Sequence, residues 1–299
     1  MDTIEKAMQK LADDPPSVDK NSLGEEAPAV SDTPLSDDVL SNIVEGEGKR
    51  AANRITLDLE GLAAGGIVDA DSDRRDQLAE EFRIIKQPIL AHAKGRAASR
   101  VEHPNLVMVT SSLAGEGKTF TAINLALSIA MEKDHTVLLV DADVAKPEVT
   151  RRLNIEAEAG LTDVLLDESL DLGEVLIKTH LPHLSVLPAG RRHAQATELL
   201  ASDAMKRLAD EMAMRYPDRI IIFDSPPLLP TTEARVLAGL MGQVLLVVEQ
   251  GKTQQPVVLE ALEMLESQEI VGLVLNKVHK SVGGGYGYGR GYGYGYGHG

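Results

Sequence analysis

The residues most able to do chemistry lie in the string SSLAGEGKT at positions 111–119. A loop that holds phosphates needs little side-chain bulk, backbone N–H groups turned inward and a helix N-terminus behind it. Gly115 and Gly117 let the backbone approach closely, and Ala114, Glu116 and Phe120 complete the stretch expected to line a nucleotide. Lys118 has the reach to touch β- and γ-phosphates, and the Thr119 hydroxyl is the type of group that ligates Mg²⁺. The strict phosphate-loop pattern is broken at its first glycine position, where Ser112 stands. Two further places carry carboxylates at the ends of apolar runs: Asp141 and Asp143 in TVLLVDAD, and Asp224 in RIIIFD. Phosphoryl transfer needs a cation to neutralise developing charge and a group to orient or deprotonate the acceptor. Strand-end aspartates are often mere turn formers. Two such strand ends in one sheet with a phosphate loop favour chemistry.

Such residues must be held by a rigid frame. From residue 105 the chain alternates short apolar, β-branched runs with helical stretches. The runs fall at Val107–Thr110, Thr136–Val140, Leu184–Leu187, Ile220–Phe223, Val244–Val248 and Ile270–Leu275. Helices are expected at 118–132, 197–214 and 255–267. Near-continuous apolar character marks parallel strands buried on both faces. The fold class is therefore α/β, an open, doubly wound, mostly parallel sheet of phosphate-loop NTPase type. In such a sheet ligands sit beyond the carboxyl ends of the strands, which places all three aspartates opposite the loop.

Upstream, residues 76–93 read as an amphipathic helix with Leu78, Phe82, Ile85 and Ile89 at helical spacing and Glu80, Arg83 and Lys86 on another face. Pro88 is expected to bend or split it. A short helix is expected over 1–12, a mobile Asp/Glu/Ser/Pro linker over 13–50, and no pattern is assigned to 51–75. The organisation expected is an acidic, flexible segment over 1–75, a catalytic domain over 76–280 and a Gly-Tyr tail over 281–299.

The chain has 299 residues and no cysteine, which excludes disulfides and cysteine-ligated metal sites. Its net charge is −16. Residues 1–80 hold 8 Lys and Arg against 19 Asp and Glu, so most of that charge lies there. An acidic chain does not attract polyanions in bulk; a nucleotide must be held locally and a nucleic-acid partner is not expected. No apolar run has the length of a bilayer span, and the N-terminus lacks a signal-peptide core, so a cytoplasmic protein is expected.

SSLAGEGKT, VLLVDADVAKP and IIIFDSPP together resemble the Walker A, A′ and B set of the bacterial tyrosine kinases. These are phosphate-loop autokinases of polysaccharide synthesis and export. The resemblance runs over roughly residues 76–299 and includes LPAG at 187–190, Glu198-Leu-Leu, and GLVLNKV at 272–278. It implies ATP and Mg²⁺ as cofactors, with Asp141 as base or Mg²⁺ partner. Thr119, Asp143 and Asp224 would organise the metal and its waters, and Asn276 would lie near the adenine. It also implies a homo-oligomer assembled through Glu80, Arg83 and Lys86, which stand where the family carries E-x-x-R-x-x-R. Lys at the third position cannot make a bidentate fork. The family's arginine two residues after the second A′ aspartate is Ala145 here. Further implied partners are an inner-membrane polysaccharide co-polymerase-type adaptor, which would hold the protein peripherally at that membrane, and a tyrosine phosphatase. These departures make the chain similar to the stand-alone autokinases of exosortase-linked exopolysaccharide loci.

The tail alternates glycine with Tyr286, Tyr288, Tyr292, Tyr294 and Tyr296, hydroxyls with no core to enter. They are the expected phosphoacceptors, in trans, for an autokinase that regulates exopolysaccharide synthesis or export. The runner-up is an ATP-dependent dimerisation switch resembling the partitioning and cell-division-site ATPases, which carry a signature lysine where Leu113 stands here. A third reading is an interaction protein with a degenerate site.

Overall fold

In a computed structural model of the chain, residues 54–67, 77–95, 101–215 and 218–278 are described. The helix expected over 1–12, the linker over 13–50 and the tyrosine tail lie outside these residues.

Eight strands form one sheet: β1 Arg54–Ile55, β2 Leu106–Ser111, β3 Thr136–Asp141, β4 Ile177–Thr179, β5 Leu184–Leu187, β6 Arg219–Asp224, β7 Gln243–Glu249 and β8 Val271–Asn276. Their order is β1-β4-β5-β3-β6-β2-β7-β8. Every neighbouring pair is parallel except β4 with β5. All six expected strands are present; β1 and β4, at two and three residues, are too short to show a periodicity.

Alternate residues of the central strands feed two cores. Leu106 and Met108 of β2 pack into one, with Leu138, Ile221 and Phe223, while Val107 and Val109 pack into the other, with Leu139, Ile222 and Val247. This two-sided burial is why these strands are apolar at every position.

The helices are α1 Leu59–Ala64, α2 Gln77–Ala93, α3 Lys118–Ala130, α4 Val149–Arg152, α5 Leu161–Leu166, α6 Leu172–Val175, α7 Ala196–Leu200, α8 Asp203–Arg215, α9 Thr232–Ala238 and α10 Gln255–Glu263. Three findings differ from expectation. The helix expected over 197–214 is two helices: the Ser202 hydroxyl accepts from Met205 N at 3.2 Å and so starts α8 afresh, as capping serines do. Helix α2 runs unbroken through Pro88. Proline deprives the carbonyl four residues earlier of its donor, and Ile84 at that position is 72% exposed, where water can replace it. Finally, the folded part begins before residue 76. Leu57, Leu59, Leu62 and Ile67 are buried in the second core, and β1 pairs with β4. Among the described residues no helix is long and apolar enough to cross a membrane.

Candidate active site

The phosphate loop joins β2 to α3. Gly115 and Gly117 have φ of 90° and 103°, values that disfavour any residue with a Cβ. Gly117 is constrained twice, because a Cβ there would lie 2.0 Å from Asn276 Nδ2. The loop is braced from within and without. Glu116 is buried, and its Oε2 accepts from Leu113 N at 2.7 Å. Its Oε1 accepts from the Thr253 hydroxyl. Asn276 Nδ2 donates to Glu116 O at 2.9 Å, and Lys277 Nζ donates to Gly115 O at 2.7 Å. Glu116 thus shapes the loop through its side chain, and no motif pointed to the parts played by Thr253 and Lys277. Ser112, at the position of the missing glycine, is buried with its hydroxyl unpartnered.

The three aspartates come together as expected. Asp141 and Asp224 are register partners on the parallel strands β3 and β6, so their side chains share one side of the sheet about 4.8 Å apart along the ladder. Ala142 N donates to Asp224 O at 2.8 Å, tying the two strand ends. Asp143 follows, and its Oδ2 receives Lys118 Nζ at 2.6 Å. Its Oδ1 accepts from Lys146 N at 3.1 Å.

Asp141, Asp143, Asp224 and Lys118 are all buried. Burial pushes the Lys118 ammonium down, but Asp224, Asp143 and Asp141 together raise it above its ordinary value. Asp141 is raised well above the usual carboxylate range, first by burial and then by the Asp224 charge. Its Oδ2 accepts from Val149 N at 3.0 Å, while Oδ1 has no partner. Burial raises Asp224 to about 6 against the pull of Lys118. Neither Asp224 oxygen has a hydrogen-bond partner; the Thr119 hydroxyl is near but outside bonding geometry.

These features fit a hydrated Mg²⁺ with a phosphate chain. Buried, unpartnered carboxylate oxygens require a cation or a proton. Among the described residues no three carboxylate or imidazole groups could enclose a metal by themselves, so phosphate and water oxygens would complete the shell, as Mg²⁺ prefers. Thr119, Asp143 and Asp224 are the residues that would hold it.

The three charges expected to assemble an oligomer do not share one surface. Arg83 is exposed and bonds Glu80. Lys86 is not on that surface. It is 4% exposed, donates to Ser128 O at 2.7 Å and pairs with Glu132 at 2.7 Å. An aliphatic stem can follow an apolar face while its ammonium finds an orphan carbonyl at a helix end, and here it closes the C-terminal end of α3.

A mostly parallel sheet with a phosphate loop between β2 and α3, and acidic ends on the neighbouring strands, defines a phosphate-loop NTPase fold. A family profile described as an AAA domain matches residues 105–260. The chain is 35% identical over 200 residues to the tyrosine-protein kinase YwqD of Bacillus subtilis, covering 66% of this chain and 80% of that protein. It is 31% identical over 229 residues to the succinoglycan biosynthesis transport protein ExoP of Rhizobium meliloti, covering 74% of this chain but only 27% of ExoP. Among solved structures, the chimerical protein CapA2B2 superposes with a TM-score of 0.61 at 26% identity, covering 80% of this chain and 99% of that one. The chain belongs to the bacterial tyrosine-protein kinases, a family of enzymes.

Proposed function

We propose that this kinase transfers the γ-phosphoryl group of Mg·ATP to tyrosines in the C-terminal tail of a neighbouring copy. The observation that carries the reading is the gathering of Lys118, Asp141, Asp143 and Asp224 in one buried cluster beside the phosphate loop. Bound Mg²⁺ would neutralise charge on the phosphates. The raised Asp141, with Oδ1 free, suits a group that takes the phenol proton. Lys118 supplies a cation to the transferring group. The acceptors are Tyr286, Tyr288, Tyr292, Tyr294 and Tyr296 of the Gly-Tyr tail.

The name of ExoP, a succinoglycan biosynthesis transport protein, supports a role in exopolysaccharide synthesis or export. The working setting is the cytoplasm, with recruitment to the inner membrane by a polysaccharide co-polymerase-type adaptor and reversal by a tyrosine phosphatase. Leu113, where the partitioning-type switches carry lysine, is 43% exposed on the loop, and this supports the kinase over the switch.

The test is incubation with labelled ATP and Mg²⁺, followed by mapping of the modified residues. Lys118→Ala is expected to abolish self-labelling. Mixed with an active chain whose five tail tyrosines are Phe, the Lys118→Ala protein is expected to become labelled on its own tail. Label in isolated Lys118→Ala protein would refute the site, and none in the mixture would refute transfer in trans.

A further inference from the structure

We infer that Asn276 and Lys277 are positioning residues that aim the amides of the phosphate loop at the nucleotide, an inference that rests on the ATP-binding reading above. In a trans peptide the C=O and the following N–H point in opposite directions. Lys277 Nζ holds Gly115 O at 2.7 Å, which turns Glu116 N–H the other way. Asn276 Nδ2 holds Glu116 O at 2.9 Å, which turns Gly117 N–H likewise. The sheet order gives that direction a meaning. The loop follows β2; β7 and β8 lie on one side of it, and β6 and β3 on the other. Carbonyls drawn toward β8 leave two successive N–H groups facing Asp224 and Asp141, where phosphate oxygens belong. Consecutive amides aimed into one concavity make an anion nest.

Two further observations show that this contact is built. Lys277 has a φ of 57°, a conformation uncommon for a residue with a side chain. Its ammonium is also paired with Glu249 at 3.0 Å, while Glu249 receives Lys252 at 3.3 Å. Glu249 and Asn276 are register partners on β7 and β8, so the carboxylate sits beside the clamp and fixes the ammonium over Gly115. The Asn276 Nδ2 thus donates to the loop backbone.

The experiment is equilibrium binding of a fluorescent ATP analogue with Mg²⁺ to the full chain, paired with the ATP dependence of autophosphorylation. Lys277→Met is expected to weaken binding about five- to tenfold, as loss of a charged hydrogen bond at a half-exposed site does. KM for ATP should rise while the rate at saturating ATP stays near wild type. Lys277→Arg, which keeps a donor and a charge, should restore most of the affinity. Asn276→Ala should weaken binding in the same sense. Lys252→Met removes the same charge from Glu249 without touching the loop and should bind as wild type. Lys277→Met binding within twofold of wild type overturns the inference, as does an equal loss in Lys252→Met, which would reduce the effect to bulk charge. A wild-type chain that binds no nucleotide overturns the proposed function along with it.

Discussion

Asp224 is a buried carboxyl with no hydrogen-bond partner and a pKa raised from 3.8 to about 6. A raised carboxyl pKa costs the fold stability as pH increases. Nothing is lost below pH 3.8, the loss builds between there and about pH 6, and above pH 6 it is complete, at about 3 kcal/mol. Asp224→Asn is therefore expected to melt several degrees higher than wild type at pH 7.5 without nucleotide or metal, with the gain vanishing near pH 4. The same variant is expected to lose orders of magnitude in autophosphorylation if Asp224 holds Mg²⁺ as proposed. Thermal melts at the two pH values check the first half; equal melting temperatures at pH 7.5 would contradict it. The loop and the three aspartates were legible because their residue types are rare in that order and strand context. What encloses them was not. The Glu116 side chain, Thr253 and Lys277 converge from separate elements, and no spacing along the chain announces a contact made across 137 or 162 positions.

At the scale of elements, α2 is held by buried contacts and presents only part of its charge. Gln243 Nε2 donates to Ile89 O at 3.1 Å and to Pro104 O at 2.6 Å. Lys86 closes the far end of the phosphate-loop helix α3. The two charges that looked equivalent in sequence therefore separate by role. Arg83→Glu is expected to leave folding intact and to reduce self-association and autophosphorylation. Lys86→Ala should lower stability by about 1–3 kcal/mol, through an unpartnered Ser128 carbonyl and lost packing. Sedimentation and melting curves on both variants separate these outcomes; an Arg83→Glu protein that associates like wild type would remove α2 from the interface. Helical spacing showed that α2 exists, but its charged positions 80, 83 and 86 fall on an arc that the three-residue pattern cannot divide into inside and outside. Only the position of α3 does that. In the same way the period was right across 197–214, and it was Ser202, a capping residue type within a continuous pattern, that marked the break.

At the scale of the molecule, charge is the lever. Each phosphotyrosine adds about −1.5 to −2 charges, so five would add about −8 to −10 to a chain at −16. Tails docked beside Asp141, Asp143 and Asp224 of a neighbour would be driven out by like charge, less so at high salt. Phosphorylated protein is expected to be smaller in solution than unmodified protein at low salt; equal masses by light scattering would defeat this graded release. The sheet itself sets where such exchange takes place. β1 and β8 are its two edges, and seven inter-strand steps put them about 33 Å apart. The chain enters the described sheet at one border and leaves it at the other. The first and last described strands therefore stand at opposite borders of one sheet. A reporter fused after Gly299, directly next to the proposed acceptor tyrosines, is expected to slow transfer between subunits more than the same reporter fused at the start of the chain.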